Sequence, residues 1–107
     1  MNMNHSEVTE FDSLVESLQA IPTPALYEQL AEECTELGKA ALKMARVLRK
    51  ENPTPVTFNE ASTMICEELS DCFTVCLVLG IDPDIKIIME KMRRWVDRLR
   101  EAGIREK

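Results

Sequence analysis

Glycine is scarce in this chain, with three among 107 residues. A β-rich fold with many tight turns needs more, and so does a glycine-rich phosphate loop. Histidine is scarcer still: His5 is the only one, in a segment expected to be a mobile tail. Catalysis built on histidine is therefore not expected, and neither is a di-iron bundle with its Glu-x-x-His motifs. Cations are outnumbered, with 13 Lys and Arg against 19 Asp and Glu and a net charge of −6. A protein that grips a phosphate backbone clusters Lys and Arg, so nucleic acid is not an expected partner. A nucleotide is still within reach if a metal cation bridges the two negative partners.

Long apolar runs are missing too. The longest, Cys72 to Ile81, is about half the ~20 residues of a membrane span. Met1 to Glu10 is polar and acidic, without the basic and apolar blocks of a signal peptide. None of the four cysteines, Cys34, Cys66, Cys72 and Cys76, belongs to a Cys-x-x-Cys pair. Cys72 and Cys76 are one helical turn apart in the apolar run, so buried free thiols are expected rather than a zinc site. These absences set the expectation of a cytoplasmic protein that does not enter the membrane. There is no internal repeat and no low-complexity segment.

What remains is an ordinary globular composition, 45% hydrophobic and 30% charged, in a length that suits one domain. A domain this small buries a limited share of its surface, which favours oligomerisation. Proline-marked breaks divide the chain into helices. Ser6 to about Ala20 carries Val8, Phe11, Leu14, Val15 and Leu18 on one side, and Pro22 and Pro24 end it. Thr23 then offers an N-cap, with Pro24 at the first helical position, where no N–H is needed. A long second helix is predicted over 25–50, with Arg46, Arg49 and Lys50 in its last turn, the sign its dipole favours.

Two prolines make 51–56 a loop. Thr57-Phe-Asn-Glu60 is a capping box that opens a third helix to Leu79, and Gly80 is its stop. Asp82-Pro83 is a second cap-plus-proline start, for a fourth helix to about Ala102. Ile88, Trp95 and Leu99 recur on it at helical spacing and read as core or subunit contact rather than a base-stacking platform; Tyr27 and Phe58 fit either role.

The acids are placed oddly for a solvated surface. On the second helix, Leu26, Leu30, Leu37, Ala40, Ala41, Met44 and Leu48 form one stripe, and Glu33 falls inside it, about 20° from Leu26. Glu36 is at the stripe's edge and Glu32 further out. On the third helix, Glu68 flanks the stripe of Phe58, Ile65, Leu69, Cys72 and Cys76. Asp71 follows at i+3, and Glu67 points to solvent. Beyond Asp71 this helix is apolar nearly all round, and so expected to be buried on every side. A carboxylate on a core-facing stripe is costly unless compensated. Two acidic pairs facing each other repel, and a divalent cation with hard oxygen preferences removes the repulsion.

Glu32-Glu33-Cys34-Thr35-Glu36 and Glu68-Leu69-Ser70-Asp71 have the form E-E-x-x-E and E-x-x-D on consecutive helices. This resembles the MazG-like family of all-α nucleoside triphosphate pyrophosphatases. Relatives in that superfamily include dimeric dUTPases, dCTP pyrophosphatases and phosphoribosyl-ATP pyrophosphatases. Glu67-Glu68-Leu69-Ser70-Asp71 is close to the E-E-L-G-D of the second motif, with Ser70 in place of glycine. The resemblance spans about 26–98. The 31 residues between Glu36 and Glu68 are somewhat more than the pattern usually has.

The resemblance implies an all-α, four-helix-bundle-type fold completed by oligomerisation, as a homodimer or homotetramer. The catalytic domain it implies is placed at 25–107, after the short N-terminal helix and linker over 1–24. Glu33, Glu36, Glu68 and Asp71 would hold Mg²⁺, for which Mn²⁺ can substitute. A nucleoside triphosphate would be hydrolysed to its monophosphate and pyrophosphate. Lys91, Arg93 and Arg94 would reach the phosphates, as basic residues of the later helix do in many members. The competing expectation is a non-catalytic helical adaptor whose acids form a solvated face.

Overall fold

The structure is a computed structural model that describes residues 2–50 and 55–103. Among the described residues are four helices: α1 (His5–Leu18), α2 (Thr23–Arg49), α3 (Phe58–Leu79) and α4 (Ile85–Glu101). No strand occurs among the described residues, and none of their helices is long and apolar enough to cross a membrane. The proline-broken loop expected at 51–56 lies outside the described residues except for Pro55 and Val56.

Local chemistry sets the helix ends. The Thr57 hydroxyl accepts from the Glu60 N–H at 3.1 Å, while the Glu60 carboxylate accepts from the Thr57 N–H at 3.3 Å. Both halves of the predicted capping box are therefore made, worth about 1 kcal/mol to the start of α3. Gly80 ends α3 at φ 72°, where only glycine is unstrained, and the Ile81 N–H donates back to the Cys76 carbonyl at 3.1 Å.

The other ends differ from expectation. The Asn4 side chain accepts from the Glu7 N–H at 2.8 Å and starts α1 one residue before Ser6, so His5 is helical rather than part of a mobile tail. α2 includes Thr23 from the outset, follows Pro22, and has no side-chain cap. The dipole argument for Lys50 shifts as well, because Lys50 is the left-handed residue that closes α2, at φ 56°. α4 is capped by Asp84, whose carboxylate accepts from the Lys86 N–H at 2.8 Å. The expected start at Asp82-Pro83 is therefore two residues early, and the cap hydrogen bonds go to Asp84.

α2 and α3 pack antiparallel along their length, and α1 lies against α3 alone. The Gln19 amide donates to the Val78 carbonyl at 3.4 Å where α1 ends. The core is thin. Leu26 and Ala40 of α2 meet Ala61, Cys72, Val75 and Val78 of α3, and no other described residue is buried. Ala40 and Ala61, the two most enclosed, are small enough to let the helix axes approach closely. Burying a side chain such as Leu26 contributes about 2–3 kcal/mol.

Two expectations about packing fail at the same place. The apolar half of α3 is not buried on every side: Phe73 is 52% exposed, and Leu77 also faces solvent. Nor does α4 complete a bundle within the chain. None of its Cα atoms lies within 8 Å of one in another helix, and none of its residues is buried. The radius of gyration, 18.1 Å, accordingly exceeds the roughly 13 Å of a compact chain this long.

Candidate functional site

The acids gather on one side of the α2–α3 pair. Glu33 comes from the ninth position after Pro24, still on the face of α2 that turns toward α3, and is half-buried. Glu68 and Asp71 come from consecutive turns of α3, the first half-buried and the second exposed. One carboxylate oxygen from each of the three lies within 4.8 Å of the other two. Residues 35 and more positions apart in sequence thus share one small volume. On α3 these acids lie across the helix from Phe73 and Leu77, so the acids and the apolar groove of Phe73, Leu77 and Ile81 are separate features.

Crowding leaves an electrostatic mark. Burial raises the Glu68 pKa above the ordinary carboxylate value, and the neighbouring charges of Asp71, Glu33, Glu36 and Glu67 raise it further. The Glu33 carboxylate is partly compensated, since the Gln29 amide donates to it at 2.7 Å. Gln29 is the positioning residue that the motif reading passes over. Its signal was present as a Gln–Glu pair at i,i+4, a spacing at which helix side chains meet.

Glu36 stands apart from the trio. It is exposed and pairs with Lys39 at 3.3 Å, although its charge is felt at Glu68. Glu32 and Glu67 are exposed, as their positions on the helices predict. Lys91, Arg93 and Arg94 are all exposed on α4, and within one chain the structure does not bring them to the carboxylates. Lys91 and Arg94 share a hollow with Trp95 and Arg98, while Arg93 faces the other side with Met89 and Met92.

The cysteines divide. Cys72 is buried and Cys76 half-buried, whereas Cys34 and Cys66 are exposed, so the expectation of buried free thiols holds only in the apolar run. Cys66 is exposed on the same side of α3 as Phe73 and Leu77. Burial pushes the Cys72 thiol pKa up, with Cys34, Glu33 and Cys76 adding to the shift, so this thiol is held protonated and unreactive.

Three carboxylates at this separation suit a hard cation. Opposite ligands of one octahedral Mg²⁺ at ~2.1 Å are about 4.2 Å apart, so small side-chain rotations bring the trio into range. The donor set is all oxygen and negative, which fits Mg²⁺ or Mn²⁺ and not a thiolate-seeking metal. Fold and site together define an all-α chain with a carboxylate cluster held between two antiparallel helices. No protein-family profile matches the chain, and no curated protein or solved structure matches it either.

Proposed function

We propose that the chain is a Mg²⁺-dependent nucleoside triphosphate pyrophosphohydrolase of the MazG-like kind, acting as a homo-oligomer. The observation that carries the reading is the convergence of Glu33, Glu68 and Asp71 across two helices. Three carboxylates crowded into a partly dry space raise the pKa of one of them, and such strain is expected where a cation is meant to bind. The E-E-x-x-E and E-x-x-D pattern supplies the substrate class.

In this reading Glu33, Glu68 and Asp71 hold the cation, and Glu36, one turn further along α2, adds a fourth negative charge. A bound Mg²⁺ would neutralise the triphosphate and lower the pKa of a coordinated water. Gln29 fixes the Glu33 carboxylate, so less ordering is left for the moment of binding. Lys91, Arg93 and Arg94 are the phosphate-binding candidates, and α4 must be carried to the site for them to act.

A non-catalytic adaptor is the second reading. The exposure of Asp71 and Glu36, and the Glu36–Lys39 pair, favour it. The two separate in one assay. Purified protein with Mg²⁺ and a panel of canonical and modified (deoxy)nucleoside triphosphates should release pyrophosphate and a monophosphate from at least one of them. Orthophosphate with a diphosphate product, or no turnover across the panel, would defeat the pyrophosphohydrolase reading.

A further inference from the structure

The cysteines carry chemistry that the proposed function leaves unused. Cys34 stands on α2, and Cys66, Cys72 and Cys76 stand on α3. Cys72 is buried in the α2–α3 core, whereas Cys34 is exposed to solvent. The Cys34 and Cys72 side chains nevertheless share a hydrogen bond across the two helices. The acids fix the same register independently. Glu33 immediately precedes Cys34 and Asp71 immediately precedes Cys72, and carboxylate oxygens of Glu33 and Asp71 lie within 4.8 Å of each other.

No other pairing within the chain competes well. Cys76 is one turn beyond Cys72 on the same helix. On an intact helix, β-carbons so placed are about 5–6 Å apart, and a disulfide needs about 3.5–4.5 Å. Cys66 is about 120° round α3 from Cys72, at roughly 100° per residue. It shares the side of Phe73 and Leu77, which are exposed and so turned from α2. A bridge between two helices also needs their axes close, because its α-carbons lie no more than about 7 Å apart. Ala40 and Ala61, the two most enclosed residues, permit that approach in the α2–α3 pair.

We propose that Cys34 and Cys72 are a reversible disulfide pair, a modification site that staples α2 to α3 beside the carboxylates when the chain meets hydrogen peroxide. Cys34 is the thiol an oxidant can reach. Its sulfur attacks one peroxide oxygen, the O–O bond breaks, and the hydroxide released leaves with the thiol proton as water. Cys34 is then a sulfenic acid. Cys72 is inert toward solvent, but the Cys34 sulfur has become an electrophile at contact distance. The Cys72 sulfur attacks it, the S–S bond forms, and the S–O bond breaks. The hydroxyl leaves with the Cys72 proton as a second water. Two thiols and one peroxide thus give one disulfide and two waters. A reducing thiol such as glutathione reverses the bond by attack at the exposed Cys34 sulfur.

The staple ties together the two helices that carry the acids, next to Glu33 on one and Asp71 on the other. Redox state then limits how far those carboxylates can part. A transient bond of this kind is the form that disulfides take in reducing compartments. The inference goes beyond the proposed function and does not depend on what the acids bind.

Peptide mapping tests it on the full chain. The reduced protein is treated with one equivalent of hydrogen peroxide, free thiols are alkylated, and the digest is read by mass spectrometry without reduction. Cys34 and Cys72 should be found linked within one chain, with Cys66 and Cys76 alkylated, and dithiothreitol should restore four free thiols. The oxidised chain should melt roughly 10 °C above the reduced one, as closing the loop between the two positions predicts. Cys34→Ser, at an exposed position, should abolish both the link and the peroxide-dependent rise. In Cys72→Ala, excess peroxide should carry Cys34 on to the sulfinic acid, because the resolving thiol is gone. If removing the buried thiol unfolds that variant, Cys34→Ser still decides the matter. Cys34 linked to Cys66, Cys76 or a second chain overturns the proposal. So does Cys34 that passes to the sulfinic acid in the native protein, or an oxidised chain that melts at or below the reduced one. Pyrophosphate release is read separately and is untouched by these outcomes.

Discussion

The α2–α3 pair and α4 are built from the same local devices and end in opposite states. Each has amphipathic stripes and basic residues in a last turn, and α3 and α4 both start at a side-chain cap. α4 separates apolar from polar side chains more cleanly than any other helix here, yet it buries nothing. α2 and α3 are less cleanly divided, with acids inside or beside their stripes, and they form the core. Caps and periodicity decide where a helix begins, ends and faces. They do not decide what meets that face. A 17-residue helix in water is marginal on its own terms and draws most of its stability from packing, so α4 has more to gain from a partner than α2 or α3.

Amide substitutions at the acids give the largest effect and bear on the packed region. Glu33→Gln, Glu68→Gln and Asp71→Asn should each lower pyrophosphate release by ~10²-fold or more, the range for losing an electrostatic stabiliser. Glu36→Gln, outside the trio, should cost less, and Glu32→Gln and Glu67→Gln should cost little. Steady-state rates at saturating Mg²⁺ decide it, and equal losses at all six positions would break the assignment of faces.

Truncations of apolar residues sharpen the contrast directly. Leu26→Ala should destabilise by about 2–5 kcal/mol, as buried Leu→Ala changes do, at any protein concentration. In the proposed homo-oligomer, with α4 covered by another copy, Leu99→Ala should instead give a loss that grows on dilution. Urea melts of both variants over a hundredfold range of protein concentration read the difference. An equal, concentration-independent loss at both sites would mean that α4 packs within its own chain.

The smallest effect concerns pH. The folded-state pKa of Glu68 is raised, by burial and by Asp71, Glu33, Glu36 and Glu67. The native state therefore holds this proton more tightly than the unfolded state. The contribution to stability is fully present below the unfolded pKa and is lost as pH rises through the folded one. In EDTA at neutral pH, Glu68→Gln should melt above the unsubstituted chain, and the advantage should fade as pH drops below the ordinary carboxylate range. Mg²⁺ at tenfold its Kd should stabilise the unsubstituted chain by about 1.4 kcal/mol, and the variant by less. Thermal melts across pH, with and without Mg²⁺, report both. A variant that melts lower in EDTA would make Glu68 a structural group.

Much of this was legible in the sequence, for reasons that differ by residue. Thr57, Glu60 and Gly80 act within four residues of where they stand, so their roles could be read directly. The all-helical class followed from periodicity and from the scarcity of glycine. The inward position of Glu33 and Glu68 was legible because both fall on or beside stripes that must face something apolar. Helix starts were less so. Asp82 and Asp84 offer the same cap chemistry two residues apart, and nothing local in the sequence decides between them. Glu36 shares a motif with Glu33, but its place at the stripe's edge leaves it exposed, paired with Lys39. Least legible was the open side of α3, because a run apolar on every side says that cover is needed and not which element supplies it.

Ser70 gives the acidic cluster a rigidity that the resembling motif would lack. Its hydroxyl donates to the Cys66 carbonyl at 2.7 Å, one turn back on α3. That bond commits the hydroxyl's one hydrogen to the helix's own backbone, so the serine has no donor left for a phosphate. Glycine at this place would loosen the turn that holds Glu68 and Asp71 in register, since glycine in a helix interior costs ~1 kcal/mol relative to alanine, more than serine does. The departure from the E-E-L-G-D pattern is therefore one of stiffness and leaves the donor set unchanged. The two carboxylates of α3 stand on a turn with less freedom to rearrange than a glycine would allow.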